Sequence, residues 1–308
     1  MLKKKSLGQH FLRSESALHK IVEAGHLSLE DTVLEVGPGE GVLTKLLLER
    51  AGRVIAVEKD DRLIPILQIQ FASEIASGKF QLVHADILDL DFSSYKLKAI
   101  SYNSERGRSE QSSVHFDGAK ELYETKCSYK LVANIPYYIT GALLRKFLES
   151  DTQPTMMVLL LQKEVAKRIV AQDKKESILS ISVKIYGTPK YIDTVKAGAF
   201  SPPPNVDSAI IAIENISKKS FGAISGHSRE CGDPGITKGN LDSPFQGNDT
   251  EKRFFALLKK GFAHPRKLLA SNLDIDPLKL TACGIAEKAR PENLSVEDWK
   301  RLSALLNS

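Results

Sequence analysis

The tetrapeptide Asn-Ile-Pro-Tyr at positions 134–137 carries groups that could act on an aromatic amine. Such an amine is a poor nucleophile because its lone pair is delocalised into the ring. The side-chain oxygen of Asn134 and the carbonyl of Ile135 could accept hydrogen bonds from its two N–H groups and localise that lone pair. Pro136 fixes its own backbone φ angle, and the Tyr137 ring could stack on the aromatic ring that carries the amine. Taken alone, the tetrapeptide is also compatible with a structural turn and a packed tyrosine.

A second group of residues surrounds a glycine-rich loop, "VLEVGPGEGVLT" (33–44). Gly37 and Gly39 stand between an apolar run and a helical pattern, where glycine lets the backbone turn sharply and approach a ligand. Glu35 precedes the loop, and Glu58 ends the next apolar run. The Glu58 carboxylate could accept hydrogen bonds from both hydroxyls of a ribose.

The spacing in this loop distinguishes between two nucleotide cofactors. The NAD fingerprint is G-x-G-x-x-G, which holds a pyrophosphate at a helix start. Here the pattern is G-x-G-x-G, and Glu35 would repel a pyrophosphate but could bind an ammonium group. S-adenosylmethionine has an ammonium group, a ribose and an adenine, and it has no phosphate. We therefore expect S-adenosylmethionine rather than NAD, with a purely structural turn as the remaining alternative.

Asp86 follows a third apolar run, in "HADIL" (84–88). Its carboxylate could accept a hydrogen bond from the amino group of the cofactor's adenine. A solvated aspartate at a strand end, or a helix cap, is the commoner meaning of such a residue. Its place after the two preceding motifs favours the cofactor role.

The elements that must position these residues alternate between β-like and helical patterns. The strands are nearly continuous in apolar residues, as expected for parallel strands buried on both faces. We predict strands at 32–36, 53–58, 80–86, 129–134 and 155–162, and helices at 41–50, 61–76, 141–150 and 163–172. This alternation predicts an open, doubly wound α/β sheet with ligands at the carboxyl ends of its strands. Residues 188–215 contain two further β-like runs around a proline-rich turn and are predicted to close the sheet edge as a hairpin.

The chain divides into segments of different composition. Residues 1–216 form the predicted cofactor-binding catalytic domain, interrupted by an insertion at about 96–128. Residues 217–249 are rich in Gly, Ser, Asp and Pro, and we expect a disordered insertion. Residues 250–308 have short amphipathic helical patterns and are predicted to form a small helical domain.

Composition sets the outer limits on function. The chain has 308 residues, 42% of them hydrophobic and 26% charged, and a net charge of +5. That charge permits a polyanionic partner without requiring one. No apolar run approaches the ~20 residues of a membrane span, and the basic start lacks the features of a secretion signal. Three scattered cysteines argue against a disulfide framework or a metal site, so we expect a cytoplasmic protein without metal.

The motifs together resemble those of the ribosomal RNA adenine dimethyltransferase family. They occur in the family's order as "SLGQHFL", "EVGPGEG", "VEKD", "HADIL", "NIPYYI", "LLLQKEVAKRI" and "AFSPPPNVDSAI". The resemblance covers nearly all of the chain apart from the two insertions. It implies a Rossmann-like class I methyltransferase sheet with a small C-terminal helical domain. It also implies dimethylation, with S-adenosylmethionine, of N6 on two adjacent adenosines in the 3′-terminal hairpin of small-subunit (16S) rRNA, by a monomer.

The resemblance also assigns residues. It implies cofactor contacts at six positions, namely His10, Leu12, Gly37, Glu58, Asp86 and Asn134. It places Phe200, in "AFSPPP", against the target adenine opposite Tyr137, whereas the sequence alone would predict a packed loop aromatic. The family often has Asn where this chain has His10, and it lacks insertions of this length.

Basic residues in two regions indicate a surface that follows RNA phosphates. They are Lys163, Lys167 and Arg168 in one helix, and Arg253, Lys259, Lys260, Arg266 and Lys267 near the C-terminus. For any one of them taken alone, a solvated helix face is the commoner explanation. Two other functions stay open, a DNA adenine methyltransferase and a non-catalytic factor that binds RNA or ribosomes. The motif "SLGQHFL" disfavours the first, and the intact "NIPY" disfavours the second.

Overall fold

The computed structural model of the chain describes residues 10–90, 128–225, 247–264 and 266–307. Nine strands lie within these ranges. They are β1 (Phe11–Leu12), β2 (Thr32–Val36), β3 (Arg53–Glu58), β4 (Phe80–His84), β5 (Tyr129–Asn134), β6 (Met156–Gln162), β7 (Thr188–Val195), β8 (Phe200–Ser201) and β9 (Ser208–Glu214).

Seven of these strands form one sheet with the order β4-β3-β2-β5-β6-β9-β7. The neighbours from β4 to β6 pair in parallel, and β9 is antiparallel to both β6 and β7. The predicted hairpin therefore closes the sheet edge. The chain runs from β2 outward to β4 and then crosses back to β5, so the strand order reverses between β2 and β5. In an open parallel sheet, this reversal leaves a crevice at the carboxyl ends of those two strands.

Helices cover both faces of the sheet, as the doubly wound prediction requires. They are α1 (Glu15–Ala24), α2 (Val42–Arg50), α3 (Ile64–Gln70), α4 (Ala72–Ala76), α5 (Thr140–Leu148), α6 (Lys163–Val170), α7 (Ile178–Lys184), α8 (Lys219–Ser225), α9 (Gly247–Gly261), α10 (Leu269–Leu273), α11 (Pro277–Ala282) and α12 (Val296–Asn307). Because successive strand side chains point to opposite faces, Val33 packs in the core with α1, α2 and α3. Leu34 packs in the other core, with α5, α6, α7 and α9.

The sequence predicted the strands closely and the helices less well. Three strands have the predicted bounds, whereas β4 ends two residues early and β6 begins one residue late. The helix predicted at 61–76 is two helices, because the chain bends at Phe71, whose ring packs edge-on against Phe80 with centroids 5.2 Å apart. The α/β class and the open sheet are confirmed.

The prediction of a disordered insertion from residue 217 is wrong for its first residues. Lys219–Ser225 form α8, in which Phe221 and Ile224 are buried. The Phe221 ring packs edge-on against Tyr186, with centroids 5.4 Å apart. These two apolar residues supply the buried surface that the surrounding composition lacks. Helix α9 likewise begins at Gly247, before the predicted boundary at 250. Residues 226–246, and the insertion at 96–127, lie outside the described residues.

The C-terminal helices share a core with one face of the sheet. Phe254 of α9 and Trp299 of α12 belong to the same buried cluster as Leu34 of β2. A buried polar contact joins the two parts, since the Tyr186 hydroxyl just after α7 donates to the Glu251 carboxylate of α9. Sharing one core, the helices are held in a fixed position on the sheet. That residues 250–308 form a domain of their own stays a prediction.

Gly261 provides a test of this packing. A Cβ added there would lie 2.3 Å from Cη2 of Trp299, which is fully buried. We expect Gly261→Ala to lower the free energy of unfolding by about 1–3 kcal/mol through overpacking. Gly222→Ala in α8 is the matched control, because its Cβ meets no atom within 4 Å, and alanine is the better helix former. Chemical denaturation measures both, and equal midpoints for Gly261→Ala and the wild type would contradict the packing.

Candidate active site

One cavity opens at the crevice between the carboxyl ends of β2 and β5. It is lined by every residue that the sequence analysis assigned to the cofactor or to chemistry, namely His10, Leu12, Glu35, Gly37, Gly39, Glu58, Asp86, Asn134, Pro136, Tyr137 and Phe200. The parallel strands, together with the antiparallel pair β1–β8, place these residues together although they span 190 positions of the chain. Lys59 and Tyr138, to which the sequence analysis gave no role, also line the cavity.

The glycine loop is fastened to the neighbouring strand by backbone and side-chain bonds. Gly37 and Gly39 have positive φ of 70° and 60°, a conformation that favours glycine. The Gly37 N–H donates to the Val57 carbonyl at 2.9 Å, and the Gly39 N–H donates to Glu58 Oε2 at 3.1 Å. A Cβ at Gly39 would lie 3.0 Å from the Phe11 ring, whereas one at Gly37 would meet nothing within 4 Å. The loop is thus close-packed at Gly39 and open at Gly37.

Glu58 at the end of β3 is a buried carboxylate whose orientation is fixed by the backbone. Its Oε1 accepts from the N–H groups of Lys59 and Asp60, both at 2.8 Å, in addition to the Gly39 bond to Oε2. Burial raises the pKa of this carboxyl, and the three backbone bonds oppose the rise. A carboxylate offers about four lone-pair positions, so a further hydroxyl donor can be added without displacing the backbone.

Glu35 on β2 lies deeper, with 1% of its surface exposed. The Thr44 hydroxyl donates to its Oε2 at 2.7 Å. Burial raises the Glu35 pKa to about 8, which the Thr44 bond partly offsets and the Glu58 charge reinforces. The free protein therefore holds an acid that is mostly neutral at pH 7. A cation in the cavity would favour its charged form.

Asp86 has donors on both carboxylate oxygens. Lys59 Nζ lies 2.5 Å from Oδ2, and the Leu88 N–H donates to Oδ1 at 2.9 Å. Partial burial alone would raise the Asp86 pKa, but these bonds from Lys59 and Leu88 hold it below its ordinary value. The Leu88 bond closes a local turn, and Asp86 also lies on the cavity wall.

The segment that begins at His10 lines one wall of the cavity. Strand β1 pairs with β8, which sets Leu12 opposite Phe200. The His10 Nδ1 lies 2.8 Å from the Pro202 carbonyl oxygen, and because a carbonyl only accepts, Nδ1 is the donor. The His10 ring stacks loosely on the Tyr137 ring, with centroids 6.1 Å apart and planes at 24°.

Asn134 and Tyr137 are each held by one hydrogen bond. The Asn134 side-chain Nδ2 donates to the His10 carbonyl at 3.3 Å, which leaves Oδ1 as the accepting atom of the amide. The Tyr137 hydroxyl bonds to the Ser208 hydroxyl at 2.7 Å. Burial raises the Tyr137 pKa, and the Ser208 bond opposes the rise. Ser208 is fully buried at the start of β9, and its place directly after "PPPNVD" is the signal that could have identified it.

Phe200 is 5% exposed and packs in the same core cluster as Leu12. It also lines the cavity. The burial of Phe200 therefore agrees with the packed aromatic that the sequence alone predicted. The contact of Phe200 with a target base stays a prediction.

The Glu35 pKa leads to a prediction about stability. A folded-state pKa of about 8, against an ordinary 4.5, means that the folded protein binds the proton more tightly than the unfolded chain. The resulting stabilisation is complete below about pH 4.5 and is lost as the pH rises through about 8. Glu35→Gln cannot titrate. We expect the wild type to lose stability relative to this variant between pH 5 and 8, by on the order of 4 kcal/mol. Chemical denaturation of both proteins at pH 5 and at pH 8 measures this loss. A stability difference between them that does not change with pH would contradict the prediction.

Comparison with known proteins identifies the family. The model of the ribosomal RNA adenine dimethylase family matches residues 1–222. A ribosomal RNA small subunit methyltransferase A from Dehalococcoides mccartyi is 38% identical over 97% of this chain and 87% of its own length. The protein of that name from Clostridium botulinum is 33% identical over 97% of this chain and 92% of its own.

Solved structures show the same fold. A dimethyladenosine transferase from Plasmodium falciparum aligns with a TM-score of 0.68 and 22% identity, covering 95% of this chain and 96% of its own. The 23S rRNA methyltransferase ErmE aligns with a TM-score of 0.64 and 22% identity, covering 97% and 100%. Across the described part of the chain, none of the helices is long and apolar enough to cross a bilayer. The chain belongs to the ribosomal RNA adenine dimethylase family, enzymes that transfer methyl groups from S-adenosylmethionine to adenine in ribosomal RNA.

Proposed function

We propose that this chain dimethylates N6 of two adjacent adenosines in the 3′-terminal hairpin of small-subunit rRNA. It does so as a cytoplasmic monomer during ribosome biogenesis. The two relatives described above, at 38% and 33% identity, are named for the small subunit. The 23S rRNA methyltransferase shares the fold at 22% identity, which supports no choice of substrate. Membership of the family disfavours both a DNA methyltransferase and a non-catalytic factor.

The orientation of the Asn134 amide is the observation that carries the proposal. Because Nδ2 donates to the His10 carbonyl, Oδ1 is free to accept an N–H from the target amine. The Ile135 carbonyl, next along the chain, is the second acceptor. Hydrogen bonds to two acceptors increase the electron density on N6 and favour a pyramidal nitrogen, whose lone pair is less delocalised into the ring. The neutral acceptors also stabilise the positive charge that develops on N6 during attack.

The chemistry needs little besides this positioning. S-adenosylmethionine, when bound, supplies an electrophilic methyl group on a sulfonium. The N6 lone pair would form the new C–N bond, and the electrons of the broken C–S bond would stay with sulfur. Asn134 and Ile135 hold the N–H groups through this step. The methylated N6 then loses a proton to water, and a second transfer follows with a fresh cofactor.

Tyr137 holds the target base in our proposal. The base must leave its stack to reach the cavity, and an aromatic face recovers part of the lost stacking energy. The Ser208 bond fixes the hydroxyl end of Tyr137, so the ring keeps one position. Phe200, which also lines the cavity, is the second aromatic neighbour of the base in this proposal.

The cofactor's groups match the acids of the cavity. Glu58 accepts from the ribose, Asp86 from the adenine amino group, and Glu35 takes the ammonium group. Gly37 gives the backbone approach that a bulky ligand needs, since the space beside it is open. His10, Leu12 and Gly39 complete the wall.

RNA phosphates fit the basic residues next to the cavity. Lys163 begins α6 at the carboxyl end of β6 and is one-third exposed, with Nζ 3.7 Å from the Asp207 carboxylate. Arg168 is exposed on the same helix. Lys260 has a structural task, because it donates to the Leu273 carbonyl at the end of α10 at 2.6 Å. We therefore assign the RNA contact to α6 in preference to the C-terminal lysines.

Asn134→Ala tests the mechanism. The residue lies at a strand end, so the fold should survive while turnover falls by about 10²–10³-fold, as for other positioned polar groups. The assay is methyl transfer to unmethylated small and large ribosomal subunits, with nucleoside analysis for N6,N6-dimethyladenosine. Asn293→Ala, an exposed asparagine outside the cavity, should retain full activity. Near-normal turnover in Asn134→Ala would contradict the mechanism. Methylation of large subunits alone would contradict the proposed substrate.

Lys163→Gln tests the RNA surface. The substitution leaves Asp207 paired with Lys196 and with the Ala197 N–H, so no buried charge is orphaned. If Lys163 contacts a phosphate, RNA affinity should fall several-fold, and the slope of log K against log salt should decrease by about 0.7–0.9. Turnover at saturating RNA should stay constant. An unchanged slope would remove Lys163 from the interface.

A further inference from the structure

Lys59 contacts both acids that the proposed function assigns to the cofactor's nucleoside. It follows Glu58 directly, and its backbone N–H donates to Glu58 Oε1 at 2.8 Å. Its ammonium Nζ donates to Asp86 Oδ2 at 2.5 Å. The side chain lines the cavity and is 53% exposed, so it lies at the rim where a ligand would enter.

Both oxygens of the Asp86 carboxylate already accept one hydrogen bond from within the protein. Oδ1 accepts from the Leu88 N–H, which belongs to the local turn and stays in place. Oδ2 accepts from Lys59. An adenine amino group that approaches from the cavity would therefore meet the oxygen that already carries the ammonium. The bond to Asp86 raises the pKa of Lys59, so the ammonium stays charged.

We propose that Lys59 is an internal competitor for the adenine amino group. Its ammonium occupies the position on Asp86 Oδ2 that the amino group takes in the complex. Lys59 thereby weakens the enzyme's preference for a cofactor that carries this group. The inference rests on the proposed function, because it takes Asp86 as the acceptor for adenine.

The exposure of the pair sets the size of the effect. Exposed Lys–Asp pairs contribute little, because water and salt screen them. Displacing Lys59 should therefore cost the cofactor up to about five-fold in affinity. A ligand without the amino group leaves the Lys59–Asp86 pair intact and bears no such cost.

The test is a two-by-two comparison by calorimetry. One partner is S-adenosylhomocysteine, and the other is its analogue with purine in place of adenine, which lacks only the amino group. Lys59→Met keeps the length of the stem and removes the charge. We expect the variant to bind S-adenosylhomocysteine about two- to five-fold more tightly than the wild type does, and to bind the purine analogue equally well. The preference for adenine should rise by the same factor.

Two controls and a salt series separate competition from a packing effect. Lys59→Arg retains the cation and should keep the preference near that of the wild type. Lys20→Met breaks another exposed Lys–Asp pair, with Asp193, outside the cavity, and should change neither affinity. Raising the salt concentration weakens the Lys59–Asp86 pair, so the wild type should approach Lys59→Met in affinity for S-adenosylhomocysteine.

An adenine preference that is unchanged or lower in Lys59→Met overturns the inference while the proposed function stands. A wild-type protein that binds neither ligand overturns the proposed function, and the inference falls with it. The two failures are therefore distinguishable in one series of titrations.

Discussion

The parallel pairing of β2 with β5 is the constraint on which the site depends. It sets Val36, before the glycine loop, beside Ala133, before Asn134, although nearly one hundred residues separate them. The chain crosses the sheet between these strands, so their carboxyl ends are left with a crevice rather than a covering connection. The glycine loop and the Asn-Ile-Pro-Tyr segment both leave their strands at that crevice. The second parallel pair, β3 with β2, adds Glu58 in the same way.

Three of the four acids that line this crevice, Glu35, Glu58 and Asp86, are held in different ways. Glu58 is held by backbone donors, Asp86 is ionised beside Lys59, and Glu35 is buried with a hydroxyl. Burying carboxylates costs free energy that hydrogen bonds only partly offset. A ligand that brings hydroxyl, amino and ammonium donors would satisfy all three, which fits S-adenosylmethionine and disfavours a pyrophosphate.

Local patterns were enough to predict the strands and the residues that end them, because a buried parallel strand is a short apolar run with polar residues at its ends. The same reasoning found Glu58, Asp86 and Asn134 as residues at strand ends. It missed α8, whose helix depends on Phe221 meeting Tyr186, a contact between distant parts of the chain.

Long-range contacts also account for the rest of what the sequence could not supply. The His10 ring bonds to the Pro202 carbonyl across 192 residues, and Tyr137 bonds to Ser208 across 71. Nothing in the sequence marks Pro202 as the partner of His10, and Ser208 is marked only by its place after the proline-rich turn. The Lys59–Asp86 pair is also a contact that the sequence does not indicate. A lysine after an acid is ordinarily a solvated side chain, and only the fold shows that Lys59 lies on the cavity wall.

Dimethylation places a particular demand on this arrangement. The first transfer begins with two N–H groups on N6, and in the mechanism we propose Asn134 Oδ1 and the Ile135 carbonyl accept from both. The second begins with one N–H and one methyl, so one acceptor loses its partner. The lost hydrogen bond makes the second substrate harder to orient, whereas the added methyl makes N6 more basic and a better nucleophile. An amide fixed by His10 and a tyrosine fixed by Ser208 suit both rounds, because neither has to move when the hydrogen-bonding partner changes.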